Sequence, residues 1–216
     1  MLTAALSGAP RPDTPPDPLA SAIEHYRTVE SYRVTIHSTH ANGEEHILYY
    51  YQKPGLVRME FFRPHAGAVI IYNPHTQLVR LWPFGVGHFP KISLSPANPL
   101  IQSLSGQRVD QSDIGALFEN IRLLQKGGST TILVDTKNSC PGTRESLDCR
   151  DIVHLVVTGA DGSAVANVHS SELWLDTASQ FPVKVINRDL KDVIIETVLM
   201  ETLEINIAPP DTLFNP

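Results

Sequence analysis

Residues Glu44 to Trp82 read EEHILYYYQKPGLVRMEFFRPHAGAVIIYNPHTQLVRLW. Four runs rich in Val, Ile, Tyr and Phe are separated by Pro54-Gly55, by Pro64 to Gly67 and by Asn73-Pro74. Short β-branched and aromatic runs, cut at close intervals by turn formers, predict an antiparallel meander. No catalytic motif interrupts it. So much apolar sheet surface without evident chemistry points to a protein that holds something apolar.

Working outward, the flanks supply helices. Asp17 is an N-cap candidate with Pro18 at the first helical position, and Leu19, Ile23, Tyr26 and Val29 recur at helical spacing over Leu19–Glu30. Tyr32, Val34 and Ile36 then alternate with Arg33, Thr35 and His37, and Asn42-Gly43 marks a hairpin turn. Pro83 to Pro99 reads as a long loop, with a short helix near Leu100–Leu104. Ser112 or Asp110 is expected to cap a second helix whose apolar face is Ile114, Leu117, Phe118, Ile121 and Leu124, ended by Lys126-Gly127-Gly128. Strands follow near Thr130–Thr136, Asp151–Thr158, Ser170–Asp176, Phe181–Arg188 and Val193–Ile207. The order predicts an α+β domain with helices on one face of an antiparallel sheet. Ala68–Tyr72, Ile152–Val157 and Val193–Leu199 are apolar on both faces, so something must cover the second face.

The totals narrow the function. The chain has 216 residues, enough for one large domain or two small ones, and its net charge of −6 without a Lys/Arg cluster argues against a nucleic-acid partner. No run approaches the roughly 18 apolar residues of a membrane span. Leu2 to Ala9 resembles the small-residue tail of a secretory signal, and Pro10 to Pro18 a proline-rich spacer, so residues 1–18 are read as leader and linker and 19–216 as one domain. The two cysteines, Cys140 and Cys149, flank a Pro-Gly turn. A local disulfide there would add about 2.5–3 kcal/mol and favour an oxidising compartment; the alternative is two unpaired surface thiols.

Catalytic and metal signals are weak. The nine histidines form no H-E-x-x-H pattern, and no G-x-S-x-G, P-loop or G-x-G-x-x-G motif occurs. Glu44-Glu45, Glu201 with Glu204, and Asp189 with Asp192 read as turn or solvated-face charges. In Tyr49-Tyr50-Tyr51 alternation sends Tyr50 to one face and its neighbours to the other. These rings, with Phe61-Phe62, Trp82 and Trp174, are either core packing or the wall of an apolar cavity.

Three segments carry a family likeness: YQKPGLVRMEF (Tyr51–Phe61), AVIIYNPHTQLVRLWPF (Ala68–Phe84), and LWLDT with FPVKV (Leu173–Val185). Together with the N-terminal helix, the central helical insert and the ending EINIAPPDTLF, they resemble the periplasmic outer-membrane lipoprotein carrier and its LolA-like relatives. The resemblance covers Leu19 to Phe214 in patches. It implies a strongly curved antiparallel sheet, an unclosed β-barrel, with helices plugging the concave face and an apolar cavity between them. The implied lid is the two helices, and the implied ligand-binding residues are Val57, Met59, Phe61, Ile70, Tyr72, Leu117, Phe118, Ile121 and Trp174. Lys53, before the first Pro, stands where the carrier has a gating Arg; a lysine lacks the planar bidentate contacts of a guanidinium.

The expected function is a periplasmic or exported, non-enzymatic carrier, with no metal or cofactor. A membrane anchor upstream is compatible with this reading. Its partners would be lipid or lipoprotein acyl chains and membrane-associated donor or acceptor proteins, and a monomer is expected. A protein-binding sensor on the same fold is the alternative, and a hydrolase the third reading; a His–carboxylate cluster in a cleft would favour the last.

Overall fold

The structure, a computed structural model, describes residues 17–135 and 151–216. The proposed Cys140–Cys149 bridge and most of the leader lie outside the described residues. Helix α1 (Pro18–Thr28) begins where the capping pattern places it: the Asp17 carboxylate accepts the Leu19 N–H and Pro18 occupies the first turn. Among the described residues, eleven strands form one antiparallel sheet. They are β1 (Ser31–His40), β2 (Gly43–Gln52), β3 (Leu56–Arg63), β4 (Val69–Asn73), β5 (Leu78–Trp82), β6 (Ile92–Leu94), β7 (Ser129–Asp135), β8 (Ile152–Thr158), β9 (Ser170–Asp176), β10 (Pro182–Arg188) and β11 (Ile194–Ile205). Helix α2 (Ile114–Gln125) falls between β6 and β7.

The sheet order is β6-β5-β4-β3-β2-β1-β11-β10-β9-β8-β7. Two meanders, one from each half of the chain, are joined where β1 pairs with β11. Strands β6 and β7 remain edges, so the sheet does not close. The expected α+β fold with an unclosed, curved sheet is what forms, with both helices on its concave face.

Three local expectations differ from the structure. The β1–β2 turn is Ala41-Asn42, because His40 pairs with Gly43 and Gly43 already belongs to β2. The α2 cap is Asp113, whose Oδ1 accepts the N–H groups of Gly115 and Ala116 (2.8 and 3.2 Å). Ser112 donates to the Val109 carbonyl instead, and Asp110 pairs with Arg108. Within the Pro83–Pro99 loop, Ile92 and Leu94 add a three-residue strand against Leu81 and Val79. Three residues between polar neighbours are too few to show a period.

One main core fills the concave side. Tyr32 stacks on Tyr51 and Tyr49, with ring centroids 5.1 and 5.9 Å apart, and Tyr26, Phe118 and Phe181 pack around them. Gly115 lets α2 approach α1 this closely, because a Cβ there would lie 2.5 Å from the Tyr26 ring. The convex face has a smaller core in which Val69, Ile71 and Trp82 meet Phe214 from the C-terminal tail, with Tyr50 and Leu56 beside them. Arg58 fastens that tail, donating from Nη1 to the Leu213 carbonyl at 2.7 Å. The tail therefore covers the second face of the doubly apolar Ala68–Tyr72 strand.

Truncating Phe214 to Ala should remove the centre of this smaller core and cost about 3 kcal/mol in urea unfolding, the usual scale for a buried Phe. A loss below about 0.5 kcal/mol would mean that the tail does not seal the convex face.

Candidate functional site

Alternation along each strand decides which residues face the helices. On β1 these are Tyr32, Val34, Ile36, Ser38 and His40; on β2, Glu45, Ile47, Tyr49 and Tyr51. The aromatic cluster fills one end of the concave face. At the other end a cavity of about 920 Å³ remains, near the upper limit of small-molecule sites (about 300–1,000 Å³). Most of its floor is apolar: Ile36, Ile47, Met59, Phe61, Ile70 and Leu81 from one meander, with Val185, Val198 and Met200 from the other. Its roof is Leu117, Ile121 and Leu124 of α2 together with residues 100–113. Phe84 and Leu100 line it while staying 68% and 77% exposed, which marks its mouth.

Met59, Phe61, Ile70, Leu117 and Ile121, five of the expected ligand-binding residues, come together on this wall. Val57 and Phe118 are buried in the adjoining core, and Tyr72 packs against that core. Trp174 lies on the opposite face of the sheet, stacked on His154 at 4.1 Å with the Lys184 ammonium 4.7 Å from its centroid. The register explains this: Leu173 and Leu175 take the inward positions of β9, and Trp174 between them must point out. Helix α1 does not line the cavity. It packs on the aromatic end, so the roof is α2 and the 100–113 segment rather than both helices. Lys53 touches α1, its ammonium donating to the Arg27 carbonyl at 2.7 Å and pairing with Glu30 at 3.1 Å.

A polar row crosses the floor at the β1–β2 hairpin end, and the sequence pattern alone does not reveal it. Glu45, which reads as a turn charge, is buried. Its Oε1 accepts the Leu104 N–H at 3.1 Å and its Oε2 the Ser38 hydroxyl at 3.4 Å. His40 stands beside it, with Nε2 at 3.7 Å from Glu45, 3.5 Å from Glu196 and 3.2 Å from the Ser38 Oγ. Asn187 donates to Glu196 at 3.5 Å and accepts from Ser171 at 2.9 Å. The hairpin register contained the signal: Ser38 pairs with Glu45 on the face that carries Ile36 and Ile47.

Glu45 lifts the His40 imidazole above its ordinary range against the cost of burial, and Glu196 adds to the effect. Burial raises the Glu196 carboxyl, with His40 opposing. The serine and both carboxylates approach the same ring nitrogen. A nucleophilic relay needs the orienting carboxylate on the other one, Nδ1, which is buried and has no partner among the described residues. The described residues also contain no group of three or more His, Cys, Asp or Glu placed to hold a metal. No described helix is long and apolar enough to cross a membrane.

No protein-family model matches the sequence, and no curated protein does. Solved structures do match in fold. MucB from the Pseudomonas aeruginosa MucA/MucB complex superposes with a TM-score of 0.53 at 15% identity, over 92% of this chain and 59% of that one. An uncharacterized conserved protein from Thermus thermophilus gives 0.50 at 11% identity over 90% of both chains. A LolA superfamily protein from Nitrosomonas europaea matches at 12% identity over 92% of this chain and 97% of that one, at a TM-score of 0.36, too loose a superposition to argue from. The chain shares its fold with MucB and with the Thermus thermophilus protein. At these identities the likeness concerns the fold alone.

His40 and Glu196 both bind protons more tightly in the folded chain, so the stability this pair contributes should fall as pH rises. For Glu196 the loss starts near its ordinary 4.5 and ends above its raised folded value. For His40 it starts near 6.5 and continues through its raised folded value. His46, whose imidazole burial and His37 hold below its ordinary range, acts in the opposite sense, so the pair is read by difference: the melting temperature of E196Q should gain on that of the wild type as pH rises from 4.5. Parallel profiles for wild type and E196Q would contradict the assignment.

Proposed function

We propose that this chain is a non-enzymatic binding protein that holds the acyl chain of a lipid or lipoprotein between its curved sheet and α2. One observation carries the reading: the 920 Å³ chamber has apolar residues on floor and roof and opens at two exposed apolar side chains, Phe84 and Leu100. Burying an acyl chain gains about 0.8 kcal/mol per methylene, so a partly enclosed chain is held firmly without any specific polar contact. Met59, Phe61, Ile70, Leu117 and Ile121 would touch the chain; Val57, Phe118 and Tyr72 would shape the wall from behind.

The gating role expected of Lys53 takes a modified form in this reading. Its ammonium holds the last turn of α1, which packs against α2 through Tyr26. Any movement of α2 that opened the roof would have to break or carry that contact. Membrane-associated proteins would then be the donors and acceptors of cargo, and an exported, oxidising compartment suits both this work and the cysteine pair.

A second reading keeps the fold and makes the chain a protein-binding sensor. The fold match to MucB, solved in complex with MucA, favours it as the alternative. The hydrolase reading gains less from the His40 cluster, whose ring nitrogens are not arranged as a relay.

Native mass spectrometry of the purified protein, followed by solvent extraction and lipid analysis, tests the proposal. A near-stoichiometric acyl species is expected, and Leu117→Trp, which fills the chamber from the roof, should weaken uptake of a fluorescent acyl probe about tenfold or more. A folded wild type with a clean apo mass and no uptake of fatty acid or phospholipid would overturn it and leave the sensor.

A further inference from the structure

The polar row at the hairpin end of the chamber is larger than packing requires. Two carboxylates, Glu45 and Glu196, share a single imidazole, and the side chains of all three are at most 14% exposed. With His40 protonated and both carboxylates ionised, one negative charge is still unmatched. Glu45 is well supplied with donors, from the Leu104 backbone and Ser38. Among the described residues Glu196 has only the Asn187 amide and His40, both at 3.5 Å. A buried charge short of partners is costly unless another group completes it.

The rest of the described chamber wall supplies no such group. Its arginine, Arg108, is held by Asp110 through two bonds of 3.0 and 2.6 Å. Asp113, the third wall carboxylate, is occupied by the α2 N-terminus and the Tyr26 hydroxyl. His65, at the mouth, is exposed. With its carboxylates ionised the wall is net negative, and Glu196 is the wall carboxylate with the weakest contacts.

Strand geometry adds direction. Two residues along each strand from the polar row the inward position is apolar: Ile47 after Glu45, Ile36 before Ser38, Val198 after Glu196 and Val185 before Asn187. Two residues of strand span about 7 Å. The wall thus changes from polar to apolar within one step on four adjacent strands, acidic on two of them, the pattern that matches a molecule with a small head and a long tail.

We propose that this row is a head-group site selecting amphiphiles that carry an ammonium group, with the ammonium on Glu196 and Glu45 and the tail along the floor. A carboxylate or phosphate head alone would add negative charge to a site that already has an excess of it. The inference rests on the acyl-binding reading above and specifies its ligand class.

Binding of tetradecylamine, tetradecanol and myristate to the full chain, each below its micellar concentration at neutral pH, separates the two claims. The amine should bind at least about tenfold more tightly than myristate, with the alcohol between them. E196Q, and more fully E45Q/E196Q, should bring amine and myristate to within about threefold, with alcohol binding unchanged. E201Q/E204Q, which removes two exposed charges from the convex face, should leave the ratio intact and so excludes a bulk charge effect. If E45Q/E196Q fails to fold, E196Q alone decides. Equal affinities, or tighter myristate, in the wild type would overturn the head-group site while preserving the apolar cavity. No binding of any of the three would overturn the cavity reading itself.

Discussion

The position of Tyr32 constrains most of what this fold can do. It lies on β1, the sixth of the eleven strands in the sheet, and is fully buried. Its ring stacks on Tyr49 and Tyr51 of β2, meets Phe181 edge-on and contacts Tyr26 of α1. Its hydroxyl accepts the Ile114 N–H, the first backbone donor of α2. One residue thereby ties both helices to the sheet centre and satisfies a helix-end donor that would otherwise be orphaned. Because these aromatic rings fill one half of the concave face, the other half cannot be reached by α1 and remains as the chamber.

Much of this was legible in the residues. Pro54-Gly55, Pro64–Gly67 and Asn73-Pro74 separate β2 to β5 where the punctuation said they would, and of the expected α2 face Ile114, Phe118, Ile121 and Leu124 are buried while Leu117 is half-buried on the chamber wall. Tyr49-Tyr50-Tyr51 divided as alternation demands, two rings inward and Tyr50 onto the convex core. These features depend on local pattern, which a strand or helix period expresses directly.

What escaped depends on pairings between distant residues. Trp174 could not be assigned a face until the register against β8 and β10 was known. Glu196 lies in a strand apolar on both sides, so its inward position follows only from its pairing with His40 and Asn187. Asp113 rather than Ser112 caps α2 because Tyr26, 87 residues earlier, donates to the same carboxylate oxygen. In each case the deciding neighbour is remote in sequence, and polar residues near turns look alike whether they end in water or in a cavity.

The central claim is that the chamber, and not the edges or convex face, receives an apolar chain. A photoactivatable diazirine fatty acid, crosslinked to the folded protein and mapped by peptide mass spectrometry, tests it directly. Adducts should fall on Met59, Phe61, Leu117 and Ile121. Adducts confined to the convex residues around Trp174 and Lys184, or to the edge strands β6 and β7, would contradict the account.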